Sequence, residues 1–479
     1  MNTEEKKESL HAGAVEIEKA IKEYYPETDP LVLQKIEHWQ NLKFGLLMHW
    51  APSSQWGIVE SWSLCSEDEE WCERKIEDYT EYKRQYEDLK KTFNPVNFNP
   101  AKWAKAAKDA GMKYVVFTTK HHDGFCMFDS NYTNYKITDE ECPFHSNPKA
   151  NIAKEIFKEF RKKDFMIGTY FSKPDWHSDY FWWKRFATPD RNTNYDIKKY
   201  PERWQKFVEF THNQIDELMS DYGKIDILWL DGCWVRHYSE KELKKERENT
   251  NYNIYRIQNQ DIDMPLIAKK SRAKQPGLIV VDRAVPGLQQ NYLTPENQVP
   301  DRTLPYPWET CMPITPSWSY EPGLEYKSAR KLIHLLVDIV AKGGNFLLNI
   351  APTAEGDYEA EAYDRLKEIG KWMKINSEAI YNSHPLYPYK EGKLCFTKLS
   401  DDTVYAIYLS DEGEVNFPSK LNLGETIQLP TNVAEILGTK IKINVTKHGR
   451  NSEINFPKNI LKNVPNKYAW VLKFSVLNK

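Results

Sequence analysis

Residues 113–124, KYVVFTTKHHDG, decide how the chain is read: a nearly unbroken apolar run halts on His121, His122, Asp123 and Gly124. An apolar run without alternation reads as a parallel strand covered on both faces, and its polar stop as the strand's C-terminal end. The pattern recurs along the chain. KFGLLMHW (43–50) runs to His49, FMIGTYFS (165–172) carries Tyr170, and DILWLDG (226–232) stops on Asp231. GLIVVDR (277–283) stops on Asp282 and Arg283, and GGNFLLNI (343–350) reaches Asn349. Helical patterns fill the intervals. One is PAKWAKAAKDAG (100–111), which opens on Pro100, lines up Trp103, Ala106, Ala107 and Ala110, and closes on Gly111. Proline inside a helix start and glycine just past its end match the chemistry of helix termini. NIAKEIFKEFRKKD (151–164) and EYKSARKLIHLLVDIVAKGG (325–344) repeat the pattern, each leading into an apolar run.

This helix-then-strand alternation predicts an α/β fold, a (β/α)8-like barrel of irregular form. In a barrel all strand C-termini open on one side, so polar residues from position 49 to position 349 converge on one pocket. Strand ends lie roughly 50 to 70 residues apart, more than the minimal unit needs, so long loops intervene. Two insertions stand out, at about 51–99 and 232–275. Beyond residue 382 the style changes to short, partly alternating runs: LCFTKL, TVYAIYL, ETIQLP, KIKINVTK and YAWVLKFSVL. These predict an antiparallel β-sandwich. The expected organisation is a catalytic barrel over 1–382 and a β-sandwich over 383–479, packed together because no low-complexity linker separates them.

Composition narrows the function. Lys plus Arg number 66 and Asp plus Glu 69, a net charge of -3 that supports neither a nucleic-acid nor a membrane partner. No apolar stretch is long enough to span a bilayer. The first twenty residues lack a signal-peptide core. The expected compartment is periplasmic or extracellular with a leader removed, the cytoplasm being the alternative. Seven cysteines form no CxxC pair and no zinc spacing, and those just past strand ends, Cys126 and Cys233, read as buried thiols. Tryptophan recurs near strand ends, at positions 50, 56, 62, 176, 229, 234, 308 and 318. Core packing accounts for many aromatics, yet flat apolar faces also suit the C–H faces of a sugar.

Asp231, at a strand end before Gly232, is placed to face the pocket, although Asp-Gly is also a common turn pair. As a nucleophile on an anomeric carbon it must stay ionised, which neighbouring Arg or His would favour. His121 and His122 lack the i, i+4 spacing of a HExxH metal site, so gripping sugar hydroxyls is the preferred reading over a metal. Asp123 is expected to hold a histidine tautomer or the turn. A glycosidase also needs a second carboxyl as acid and then base. Glu296 and Glu309 lie in a Pro-rich stretch read as a loop over the mouth, and Glu60 is a third candidate. His49, Tyr170 and Arg283 could hydrogen-bond a sugar or be satisfied interior groups.

As an ordered set, KFGLLMHW, WAKAAKDAGMKYVVFTTKHHDGF, LWLDG, PWETC and GGNFLLNIAPTAEG resemble the blocks of glycoside hydrolase family 29, the α-L-fucosidases. The resemblance spans about residues 30–380, with weaker likeness beyond. It implies an irregular barrel, a C-terminal sandwich, and retaining exo-hydrolysis of terminal α-L-fucose through a covalent glycosyl-enzyme, with no metal and no cofactor. The implied partner is a fucosylated oligosaccharide or glycoconjugate. By the same resemblance Asp231 falls on the nucleophile and Glu296 on the acid/base. His49, Trp56, Glu60, His121, His122, Tyr170, Trp229, Arg283 and Trp318 fall on sugar-binding positions. The chain departs from the family's usual pattern at Asn151, where Asp is frequent, and at Ser319 in SWSY, where SWGY is usual. The rival expectations are an exo-glycosidase of the same fold acting on a galactose-like sugar and a non-catalytic fucose-binding barrel.

Overall fold

All six apolar runs form strands of one parallel sheet. The computed structural model describes residues 17–65, 72, 74–188, 190–249, 257–449, 451–457, 460 and 467–475. The strands are β1 (Phe44–Met48), β2 (Tyr114–Lys120), β3 (Met166–Ser172), β4 (Ile227–Asp231), β5 (Ile279–Asp282), β6 (Glu309–Pro313) and β7 (Asn345–Asn349), ordered β5-β4-β3-β2-β1-β7-β6. Every residue of these strands is buried except Asp231, which is partly exposed at the end of β4. That is the packing a continuous apolar run demands, with helices on one face and the barrel interior on the other. Helix Ile152–Arg161 begins on Asn151, whose side chain accepts from the Lys154 amide. Asn caps as well as Asp, and here its amide nitrogen also donates to Tyr222 Oη at 3.0 Å. The departure at Asn151 therefore leaves the helix start intact.

The sheet curls but does not close by regular pairing, because β5 and β6 are not hydrogen-bonded to each other. The segment between them fills the seam irregularly: Gln290 bridges Val281 of β5, Leu293 bridges Trp308, and Glu296 bridges Cys311 of β6. An eighth strand is thus replaced by a segment that carries Glu296. Strand β6 corrects the sequence reading, which placed Glu309 in a loop over the mouth. Glu309 is the first residue of β6, fully buried, and pairs in register with Asn345 at the start of β7. It lies at the N-terminal end of the strands, opposite the pocket.

The second sheet is antiparallel, with β8 (His384–Glu391), β9 (Leu394–Lys398), β10 (Val404–Leu409), β11 (Lys420–Asn422), β12 (Val433–Ile436), β13 (Lys442–His448), β14 (Asn451–Asn455) and β15 (Ala469–Phe474) ordered β11-β14-β13-β12-β15-β10-β9-β8. ETIQLP, expected among its strands, forms none. Strand β13 changes partner midway, pairing with β12 at Lys442–Asn444 and with β14 at Val445–His448. The sheet thereby folds over itself, and Phe396, Ala406 and Leu472 share one apolar cluster with Leu421, Ile454 and Phe456. Alternate residues of β9 and β10 point the other way. Cys395, Tyr405 and Ile407 join the large cluster that also holds the barrel helices, and Trp372 Nε1 donates across the junction to the Ala469 carbonyl at 2.9 Å. Among the described residues no helix is long and apolar enough to cross a membrane.

Candidate active site

The strand ends do converge. His49, Glu60, His121, Tyr170, Trp229, Asp231, Arg283, Glu296 and Trp318 line one pocket at the C-terminal side of the sheet. Its volume of about 200 Å³ is below the ~300–1,000 Å³ usual for drug-sized ligands and suits a single sugar ring.

Asp231 is its electrostatic centre. Its Oδ1 accepts from Arg283 Nη1 at 2.9 Å and from the Gly232 amide at 2.8 Å. Its Oδ2 accepts from Tyr170 Oη at 2.8 Å. Burial alone would raise the carboxyl's pKa, but Arg283, with the Tyr170 hydroxyl and the Gly232 amide, holds it well below the usual range. Gly232 is required where it stands: its φ is +90°, and a Cβ there would meet Pro174 Cδ at 2.3 Å. The second nitrogen of Arg283, Nη2, pairs with Glu296 Oε2, while Glu296 Oε1 accepts from Trp318 Nε1 at 3.0 Å. One guanidinium therefore holds both carboxyl groups. The residues that follow Arg283 and Glu296, Ala284 and Asn297, adopt left-handed φ values of 57° and 54° without being glycine. Such strain concentrates where a side chain must be aimed.

Around this pair stand three uncharged imidazoles. Burial lowers the His49 pKa to about 4, against a hydrogen bond to the Asn349 amide oxygen and the charge of Asp231. It lowers His122 to about 3 and, with the neighbouring histidines, takes His121 well below its ordinary value. His122 thus faces Asp231, Nε2 to Oδ2 at 4.0 Å, as a neutral ring, but like Trp56 it is not among the residues that line the pocket. Glu60 moves the opposite way, its pKa pushed up to about 8 by burial, with Glu321 and Asp231 adding to it. It sits in the pocket as a neutral acid. Its main chain is anchored by Ser319, whose hydroxyl accepts from the Glu60 amide at 3.1 Å and donates to the Ile58 carbonyl at 2.6 Å. The departure from SWGY hence supplies a tie between two mouth loops.

Other placements differ from the sequence expectation. Trp56 packs against Tyr82 and Tyr86 and is not among the residues that line the pocket. Trp62, Trp234 and Arg191 line it instead, with Arg191 over the faces of Trp62 and Trp234 at 5.0 and 5.1 Å. The two tryptophans were visible beside strand ends, whereas Arg191 lies in a stretch with no such signal. Asp123 accepts from the Phe125 amide and Tyr86 Oη and so holds the turn. Cys126 is buried, but Cys233 is exposed, at the pocket's edge. His121, His122 and Asp231 are the one group among the described residues able to offer three clustered ligand atoms to a metal. A cation there would have to share Asp231 with a guanidinium already in contact with it, so this donor set suits a metal poorly.

Comparison with known proteins identifies the family. The family model for α-L-fucosidase matches residues 12–378. The plasma α-L-fucosidase of Pongo abelii is 27% identical over 93% of this chain and 92% of that protein. The solved structure of α-L-fucosidase isoenzyme 1 from Paenibacillus thiaminolyticus is 27% identical, covers 93% of this chain and 99% of its own, and superposes with a TM-score of 0.73. A family 29 α-L-fucosidase from Bacteroides thetaiotaomicron, solved as a trapped covalent intermediate with 2-fluoro-fucosyl fluoride, shares the fold at 22% identity and a TM-score of 0.71, over 94% of this chain and 98% of its own. The family match covers most of the chain and the relatives match it nearly end to end: the chain belongs to glycoside hydrolase family 29, the α-L-fucosidases.

Proposed function

We propose that this pocket removes terminal α-L-fucose from fucose-containing glycans with net retention, Asp231 acting as nucleophile and Glu296 as acid and then base. The observation that carries the assignment is the shared guanidinium, with Asp231 Oδ1 on Arg283 Nη1 and Glu296 Oε2 on Nη2. Two carboxyls flanking the scissile bond are what a double displacement needs. In the first step Asp231 bonds to the anomeric carbon while the bond from that carbon to the glycosidic oxygen breaks, and Glu296 delivers a proton to the departing oxygen. In the second, water gives its proton to Glu296 and its oxygen to the anomeric carbon, and Asp231 leaves.

Exposure supports Glu296 among the acid/base candidates. A leaving glycan extends into solvent, so its proton donor must stand at the rim. The Glu296 side chain is 35% exposed, whereas Glu60 is only 5% exposed and Glu309 lies at the far end of the strands. Glu60, as a neutral acid, is placed to hydrogen-bond the sugar inside. The neutral imidazoles meet other hydroxyls without placing positive charge beside a developing oxocarbenium ion. Leu47, Cys311 and the tryptophan faces supply the apolar wall that the methyl group of fucose needs.

The test is turnover of aryl α-L-fucoside against aryl galactoside, with the first-formed anomer read by proton NMR. Preferential fucoside cleavage with α-L-fucose appearing first is expected. Faster galactoside cleavage, or β-L-fucose appearing first, would refute the reading.

A further inference from the structure

Two of the histidines around Asp231, His49 and His122, have their protons assigned by groups behind them. His49 Nδ1 lies 3.1 Å from Asn349 Oδ1. The orientation of that amide is fixed from both sides, since Oδ1 accepts from the His49 main-chain amide at 3.0 Å and Nδ2 donates to the Trp318 carbonyl at 2.7 Å. An amide oxygen cannot donate, so Nδ1 must carry the hydrogen. His122 is bound the same way by different chemistry. Its Nδ1 lies 2.6 Å from Ser172 Oγ, and the only hydroxyl proton of Ser172 goes to the Pro174 carbonyl at 2.8 Å. Ser172 can then only accept from the ring. His121 has no such lock: its partner is the Ser61 hydroxyl at 2.6 Å, which can act either way.

We propose that Asn349 and Ser172 are positioning residues that fix His49 and His122 as Nδ1–H tautomers, so that His49 presents an Nε2 lone pair to a hydroxyl hydrogen of the bound sugar and His122 cannot donate to the nucleophile. This rests on the assignment of Asp231 above. The second half of the proposal follows from how the carboxylate oxygens are used. Oδ1 accepts two hydrogen bonds, from Arg283 and Gly232, while Oδ2 accepts one, from Tyr170. Oδ2 is therefore the freer oxygen for attack, and His122 Nε2 faces it at 4.0 Å. A hydrogen on that nitrogen would be drawn to the carboxylate and occupy the lone pair that must reach the anomeric carbon. The bond that the other ring nitrogen makes decides the tautomer, and here Ser172 makes it. The two locks sit at the ends of β3 and β7, the positions where a barrel places its chemistry.

The test is nitrogen NMR on the full-length enzyme carrying labelled histidine, with the His49 and His122 signals identified by loss in His49→Gln and His122→Gln. Both rings are expected to be protonated at Nδ1 and bare at Nε2 at neutral pH, a result that needs no turnover and so stands apart from the fucosidase reading. In Ser172→Ala the His122 hydrogen should move to Nε2 and kcat fall roughly 10- to 100-fold, by analogy with the loss of a hydrogen-bond partner behind a metal-bound histidine, with KM changing less. Asn349→Leu should instead weaken competitive inhibition by L-fucose, and Asn349→Asp, which keeps an accepting oxygen, should restore the His49 tautomer. An Nε2–H tautomer at either ring in the wild type would overturn the proposal, as would Ser172→Ala with the His122 tautomer and kcat unchanged.

Discussion

Two carboxyls at opposite ends of the barrel, Asp231 and Glu309, respond to burial in opposite ways. Asp231, at the end of β4, is held well below the usual carboxylate range despite a desolvation that pushes it up, because Arg283 touches it. Glu309, at the start of β6, is surrounded by neutral donors: Tyr114 Oη at 2.6 Å, Tyr292 Oη at 3.2 Å and Trp229 Nε1 at 3.4 Å. Burial outweighs these and pushes its pKa up to about 7. Desolvation acts alike on both, so the guanidinium decides which end of the barrel carries a charge that can do chemistry. Trp229 joins the two ends, since its indole nitrogen donates to Glu309 while its ring stacks at 5.3 Å on Tyr170, whose hydroxyl reaches Asp231.

Substitutions at the two ends should differ by orders of magnitude. Asp231→Asn removes the nucleophile, and kcat on an aryl fucoside should fall by a factor on the order of 10⁴ to 10⁶. Glu296→Ala should cost roughly 10² to 10⁴ and be partly restored by azide, which attacks the fucosyl-enzyme without needing a base. Near-normal activity in that variant would transfer the role to Glu60, the other carboxyl in the pocket. Arg283→Met should lower kcat/KM by roughly 10² to 10³. It should also move the acidic limb of the pH–rate profile upward, because Asp231 must be ionised to attack and would lose the charge that keeps its pKa low. An unmoved acidic limb would break the contrast drawn between the two carboxyls.

The smallest catalytic effect belongs to Glu309→Gln, which should leave kcat nearly unchanged and alter stability instead. A carboxyl whose folded pKa lies above its unfolded value favours the fold below the unfolded pKa and loses that contribution as pH rises through the folded one. With values of 4.5 and about 7, the wild type should lose on the order of 3 kcal/mol relative to Glu309→Gln between pH 4.5 and pH 8. Denaturant melts of both proteins at the two pH values would show it, and parallel melts at both pH values would contradict the buried-neutral picture.

What could be read from the residues follows the same division. The six apolar runs announced their strands because a strand covered on both faces needs an uninterrupted apolar sequence, and their polar stops marked the pocket for the same reason. Strand β6 was hidden: ETCMP opens on a charge and closes on proline, amid a Pro-rich stretch, so Glu309 looked like a loop residue. Arg191 was hidden because its place depends on how a long loop folds back over Trp62 and Trp234. Asn349 looked like nothing more than the end of the last barrel strand, since its task appears only once His49 and the Trp318 carbonyl are seen on either side of its amide. Glu296 was singled out only through the family resemblance. It stands on the seam where a regular barrel would have its eighth strand, and no periodicity signals a segment of isolated bridges.

The central claim is that Asp231 is the atom donor to the covalent intermediate, and one labelling experiment addresses it directly. The enzyme is incubated with 2-deoxy-2-fluoro-L-fucosyl fluoride, digested with a protease at low pH, and its peptides are sequenced by mass spectrometry. The account predicts a single added fluorofucosyl group on the peptide containing DILWLDG, on Asp231, and none in Asp231→Asn. A label on Glu60, Glu296 or any other residue, or inactivation of the wild type without a covalent adduct, would contradict it.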